Sequence, residues 1–194
     1  MQRRVIIQML ALLGARPALV QATAGDDAAW RRLTHGGHVL LLRHALTDPG
    51  IGDPPGFVLG KCGTQRNLSP TGRRHASEIG AAFRTRSIPV GPVWSSRWCR
   101  CLETARLAFG RAQPMPMLDS MFQEDEASGA AKVAQVKARV AASKESANLV
   151  LVTHGANILA LTGESVSPGE MVLVKAGDPE LRVLGRLIAY SAGA

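Results

Sequence analysis

The apolar positions of this chain fall into short blocks that alternate between two rhythms. Val39-Leu40-Leu41-Leu42 and Leu149-Val150-Leu151-Val152 are unbroken apolar runs, and each leads within two residues into a histidine. Short runs that are apolar at every position predict strands buried on both faces, the pattern of a parallel sheet. Between them, Ala76, Ile79, Ala82 and Phe83 recur at helical spacing behind Ser69-Pro70, a capping residue followed by a first-turn proline.

The same reading extends along the chain. It predicts a short helix over 28–33, a strand over 38–43, and an irregular Gly- and Pro-rich loop over 48–63, long enough to be a working loop. A helix starts at Ser69 and a strand covers 90–94. Ser95-Ser96 caps a helix reaching Phe109, which Gly110 ends. An acidic irregular stretch over 118–129 precedes a helix over 130–142 and a strand over 148–153. A helical turn over 157–161 closes at Gly163, and strands over 171–174 and 181–184 form a hairpin around Gly177-Asp178-Pro179. Strands alternating with helices predict one α/β domain, a three-layer α/β/α sandwich on a mostly parallel sheet.

The first residues break this pattern. Arg3-Arg4, an apolar stretch over 5–13 and Ala22-Thr23-Ala24 before Gly25 have the three parts of a secretory signal. The apolar part is too short to span a bilayer. The expected organisation is therefore a signal peptide over 1–24 and a domain over 25–194. The mature protein would be periplasmic, without a stable membrane anchor. Arg3-Arg4 loosely resembles a twin-arginine signal, and the choice between that route and the general one stays open.

Charge narrows the partners. The chain carries a net +8; removing three arginines and no acid with residues 1–24 takes this to +5. The basic residues are scattered in pairs at 31–32, 73–74 and 84/86, with no aromatic residues between them. That argues against a nucleic-acid surface and for one that attracts small anions. The three cysteines, at 62, 99 and 101, lack zinc-ligand spacing, so no metal is expected. In an oxidising compartment Cys62 could pair with Cys99 or with Cys101, or all three could remain thiols; spacing does not decide.

The histidines carry the chemistry. In open α/β sheets ligands bind beyond the carboxyl ends of the strands, where Arg43-His44 and His154-Gly155 both fall. A neutral imidazole already has a lone pair and attacks phosphorus without a general base. Guanidinium forks match phosphate oxygens two at a time. His44 is thus the candidate nucleophile. Arg43 and Arg100 are candidate phosphate clamps, and His154 a donor to a third oxygen. Thr47 and Arg66 are candidate pocket residues. His35, His38 and His75 read as structural or solvated.

Three segments, in order, resemble the motifs of the histidine phosphatase superfamily: Leu41-Leu42-Arg43-His44-Ala45, Ser96-x-x-x-Arg100-Cys101-x-x-Thr104-Ala105 and Val152-Thr153-His154-Gly155. The likeness runs from about Gly37 to Gly163. It implies a phosphoglycerate mutase-like fold and a phosphohistidine formed on His44, with Arg43, Arg100 and His154 holding the phosphoryl group and water releasing phosphate. No cofactor is implied. The family takes its proton donor from a Leu-x-Glu context, whereas this chain has Leu118-Asp119-Ser120. The candidates are Asp119, Glu124, Asp125 and Glu126, with Glu124 favoured because it follows Phe122 in a loop able to reach the crevice. The expected activity is hydrolysis of a small phosphorylated substrate or a phosphoprotein. Two alternatives are a mutase, for which the 56 residues from His44 to Arg100 and the 54 from Arg100 to His154 leave little room to enclose a substrate, and a phosphate-binding protein with little turnover.

Overall fold

The computed structural model describes residues 24–144 and 146–190, with side chains from Asp27 onward; the expected signal segment lies outside them except for Ala24. In chain order the elements are α1 (Ala24–Thr34), β1 (His38–Arg43), α2 (Pro70–Thr85), β2 (Val90–Ser95), α3 (Cys99–Phe109), β3 (Gln113–Pro114), α4 (Glu126–Ala141), β4 (Asn148–Thr153), α5 (Gly155–Thr162), β5 (Met171–Lys175) and β6 (Val183–Leu187).

The sheet has six strands in the order β3-β2-β4-β1-β5-β6. β1 pairs parallel with β4, and β2 pairs parallel with both β4 and β3. β5 and β6 are antiparallel, so a hairpin extends one edge of a parallel core. The unbroken apolar runs are explained by the layers. Leu40, Leu42, Val150 and Val152 pack with Leu33, Ile79, Phe83 and Ala105 from α1, α2 and α3. Val39, Leu41, Leu149 and Leu151 point the other way, onto Val136, Val140, Ile158 and Leu161 from α4 and α5. Successive strand residues face opposite layers, so a strand covered on both sides is apolar throughout.

The register of the central pair positions the site. Arg43 lies opposite Thr153, and the His44 amide donates to the Thr153 carbonyl at 2.9 Å. Both histidines therefore leave the sheet at the same level on neighbouring strands. Helices α2 and α3 pack closely against each other: a Cβ on Gly80 would fall 2.2 Å from the Ala108 carbonyl oxygen, so only glycine allows that approach.

Four expectations about elements change. Ser95-Ser96 does not cap α3; the N-cap is Trp98, without a side-chain bond, because the Ser96 hydroxyl turns into the crevice instead. α4 starts a turn earlier than its apolar rhythm suggests, since the Asp125 carboxylate accepts from the Ser128 amide and hydroxyl. The last strand begins at Val183 rather than Leu181. Asp178 accepts from the amides of Glu180 and Arg182 and holds that stretch as a turn. The two-residue edge strand β3 had no apolar signal at all. Cys62 pairs with Cys99, their Cα atoms 5.6 Å apart, and Cys101 is a buried thiol.

Candidate active site

A cavity of about 600 Å³ opens at the carboxyl ends of β1 and β4, with Arg43, His44, Arg66, Arg100 and His154 in its lining. The two imidazoles are both 4% exposed. Their ring centroids lie 5.4 Å apart at 70°.

His44 is fixed by the backbone. Its Nδ1 lies 2.9 Å from the Ala45 carbonyl oxygen. A carbonyl can only accept, so Nδ1 carries the proton and Nε2 carries the lone pair. Nε2 makes no hydrogen bond among the described residues. Burial, followed by repulsion from Arg100, Arg43 and Arg66, pushes the His44 imidazole down to about 3. It is neutral through the whole physiological range, as nucleophilic attack requires.

His154 is the N-cap of α5, which puts the positive end of that helix beside the cavity. Its Nε2 lies 2.9 Å from the Ser96 hydroxyl, which also reaches Asp119 Oδ1 at 3.3 Å. Ser96 thus ties the ring to a buried carboxylate and fixes which edge meets the cavity. That edge carries Nδ1, 3.5 Å from Arg100 Nη2. Burial, then His44 and the nearby cations, hold His154 well below the ordinary imidazole value.

The three guanidiniums share a pattern. Arg43 Nη1 donates to the Val166 carbonyl at 2.6 Å, and Arg66 Nη1 to the Gly50 carbonyl at 2.7 Å. Arg100 Nη1 donates to Asp53 Oδ1 at 2.8 Å. Nε of Arg43, of Arg66 and of Arg100 is buried without a hydrogen-bond partner among the described residues. The three guanidiniums gather positive charge in one cavity lining, which suits an anion. Arg43 lies against Gly155, where a Cβ would contact the guanidinium at 3.4 Å.

Asp53 is the residue that sequence reasoning missed. Its carboxylate accepts from the Arg66 amide, Trp98 Nε1 and Arg100 Nη1. Burial pushes its carboxyl upward, but these hydrogen bonds and the Arg100 charge outweigh that and hold it below the usual range. The only signal was its place in a long loop. Gln65 was missed in the same way; its Oε1 accepts from the Cys99 amide at 3.0 Å at the start of α3.

The candidate proton donors separate cleanly. Asp119 is buried, accepts from the Arg97 amide and from Arg97 Nε, and does not line the cavity. Asp125 caps α4, and Glu126 lies in the first turn of that helix. Glu124 does line the cavity, paired with Lys132. Ser120, standing where a Leu-x-Glu context would place a carboxylate, is also in the lining. Thr47 is not: it forms an isolated antiparallel bridge with Leu68, so its backbone is committed away from the cavity floor. Of the other histidines, Nδ1 of His35 and of His38 meets a backbone carbonyl, and His75 stacks on Tyr190. No cluster of metal-ligating side chains occurs among the described residues. Cys101 touches His154 Nε2 at 3.5 Å, but burial pushes its thiol up to about 12, so it stays protonated.

Comparison with known proteins bears on the fold. The sequence profile of the histidine phosphatase superfamily (branch 1) matches residues 39–125. Among solved structures, phosphoglycerate mutase from Thermus thermophilus superposes with a TM-score of 0.53 at 23% identity, covering 77% of this chain and 98% of its own. The proposed phosphohistidine phosphatase SixA from Agrobacterium tumefaciens gives 0.51 at 23%, covering 81% and 99%. Phosphoserine phosphatase from Entamoeba histolytica, in complex with 3-phosphoglyceric acid, gives 0.53 at 18%, covering 70% and 89%. At these identities the likeness is one of fold. No functionally curated protein matches the sequence.

Proposed function

Because the histidine phosphatase superfamily profile matches residues 39–125, we propose that the chain is a member of that superfamily and hydrolyses phosphomonoesters through a phosphohistidine on His44. One observation carries the reading: a neutral imidazole, with no hydrogen bond to Nε2 among the described residues, shares its cavity with the guanidiniums of Arg43, Arg66 and Arg100.

In the first step the Nε2 lone pair forms a bond to phosphorus and the bond to the ester oxygen breaks. Glu124 delivers a proton to the departing oxygen. Arg43, Arg66 and Arg100 hold the phosphoryl oxygens, and His154, protonated once the bound dianion offsets the guanidinium charge, donates to them from Nδ1. In the second step water attacks phosphorus, its proton passes to Glu124, and the N–P bond breaks to free phosphate and restore the imidazole. Phosphoryl transfer depends mainly on positioning and charge, which this cavity supplies from side chains alone. The named activities of the three structural neighbours, on phosphohistidine, phosphoserine and phosphoglycerate, all move a phosphoryl group.

The reading includes export, with residues 1–24 as a cleaved signal and the domain at work in the periplasm. The Cys62–Cys99 pair supports it, because disulfides persist in oxidising compartments. Recovery of protein beginning at Gly25 from a periplasmic fraction would bear this out; recovery of the full-length chain in the cytosol would not.

The catalytic test is release of phosphate from para-nitrophenyl phosphate by protein lacking residues 1–24. His44→Ala should lower kcat roughly 1,000-fold or more. A quench at high pH, where phosphohistidine survives, should trap one phosphoryl group on the parent and none on the variant. Tight phosphate binding without turnover would leave a binding protein; exchange between phosphoglycerate isomers would make it a mutase.

A further inference from the structure

Above its cationic floor the cavity changes character. Phe57 and Trp98 form a tilted pair with centroids 5.8 Å apart on its wall. Ile51, Phe122 and Leu159 stand at its mouth, 89%, 56% and 51% exposed. They come from three segments: the loop after β1, the loop before α4, and α5. Two of these segments touch, since a Cβ on Gly52 would lie 3.8 Å from Phe122 Cε1. Exposed apolar residues scattered singly need no explanation, but several converging on one opening mark a binding surface.

The charges agree. Beyond Arg43, Arg66 and Arg100, no lysine or arginine among the described residues lines the cavity. Its remaining charged lining groups are Asp53, which is taken up by Arg100, and Glu124. Glu124 is itself paired with Lys132, so the lining offers a second anionic group on a substrate no free cation. An apolar group would remove the exposed faces of Ile51, Phe122 and Leu159 from water.

We infer that the cavity selects phosphomonoesters whose leaving alcohol is apolar, an alkyl or aryl group of several carbons, over esters of acidic or polyhydroxy alcohols. The inference rests on the phosphatase reading and narrows its substrate class.

The experiment is calorimetric binding of n-alkyl phosphonates, methyl through hexyl. Their C–P bond is not hydrolysed, so the measurement is independent of turnover. Affinity should rise roughly two- to fourfold per added methylene, the scale of apolar burial. The double variant Phe122→Ser, Leu159→Ser should lose most of that slope. Leu107→Ser, an exposed apolar residue of α3 outside the cavity, should keep it. In parallel, n-hexyl phosphate should exceed glycerol 2-phosphate in kcat/KM by roughly tenfold or more. A flat slope, no measurable binding, or phosphonoacetate binding more tightly than butylphosphonate overturns the inference. A steep slope with neither ester hydrolysed would instead overturn the phosphatase reading and leave the apolar ligand class standing.

Discussion

Asp53 and Arg100 face each other at 2.8 Å across 47 residues of sequence, both almost fully buried. The pair joins the irregular loop after β1 to the start of α3. It leaves Arg100 Nε without a hydrogen-bond partner among the described residues and aims Nη2 at His154. Asp53 acts through Arg100 and is a positioning residue. In Asp53→Asn one negative charge leaves the cavity, which favours anion binding, while the guanidinium loses its anchor. The expected result is a fall in kcat of roughly 10- to 100-fold, the range for displaced catalytic geometry, with phosphate affinity changed less than about threefold. Phosphate calorimetry beside steady-state kinetics reads this split. Loss of affinity with unchanged kcat would contradict it.

The histidines make acid the weak side of this protein. His44 titrates at about 3 when folded against 6.5 when free. Between those values the unfolded chain binds a proton that the native chain refuses, so stability falls as pH falls through that window. His44 alone contributes a loss on the order of 5 kcal/mol on full descent, and His154, shifted in the same direction, adds to it. Asp53, held below its usual value, loses its contribution as pH drops through the carboxylate range. Denaturant midpoints measured from pH 7 to pH 4 should fall steadily. Proton NMR should show neither imidazole titrating between pH 5 and 8, and kcat/KM should have no acid limb near 6.5.

The Cys62–Cys99 bridge closes a loop of 37 residues. Loop-closure entropy makes such a link worth roughly 3–4 kcal/mol. Reduction, or Cys62→Ser, should lower the melting temperature by about 8–15 °C for a domain of this size. It should also weaken phosphate binding, because Cys99 adjoins Arg100 and its amide is held by Gln65. Scanning calorimetry with and without reductant checks the first effect and phosphate titration the second.

Glu124 lines the cavity where the other acidic candidates do not. If it protonates the departing oxygen, Glu124→Gln should slow hydrolysis of alkyl phosphates roughly 100-fold or more. Para-nitrophenyl phosphate, whose leaving group needs little help, should be affected only several-fold. The check is a plot of rate against leaving-group pKa, expected to steepen in the variant. Equal slowing of both substrates would assign Glu124 a different role.

Much of the fold was legible because burial on two faces leaves a one-dimensional trace: the unbroken runs before His44 and His154 can only be central strands, and the Ser69-Pro70 start of α2 is a local capping event. Signals failed where a polar side chain overrode rhythm. Asp125 started α4 early and Asp178 held Leu181 out of β6, and in both cases the deciding bond is made by a side chain.

The sequence by itself determined the sheet core, the two histidines at strand ends and the arginine within the second motif, since each sits beside a periodic apolar segment that fixes where its backbone goes. Only the tertiary structure decided that Asp53 orients Arg100, that Ser96 serves His154 rather than a helix cap, that Cys62 takes Cys99, and that Ile51, Phe122 and Leu159 share one mouth. The physical reason is that these residues lie in loops or meet across them. Loop positions carry no period, and a contact between segments dozens of residues apart is set by how layers pack rather than by the spacing of either partner.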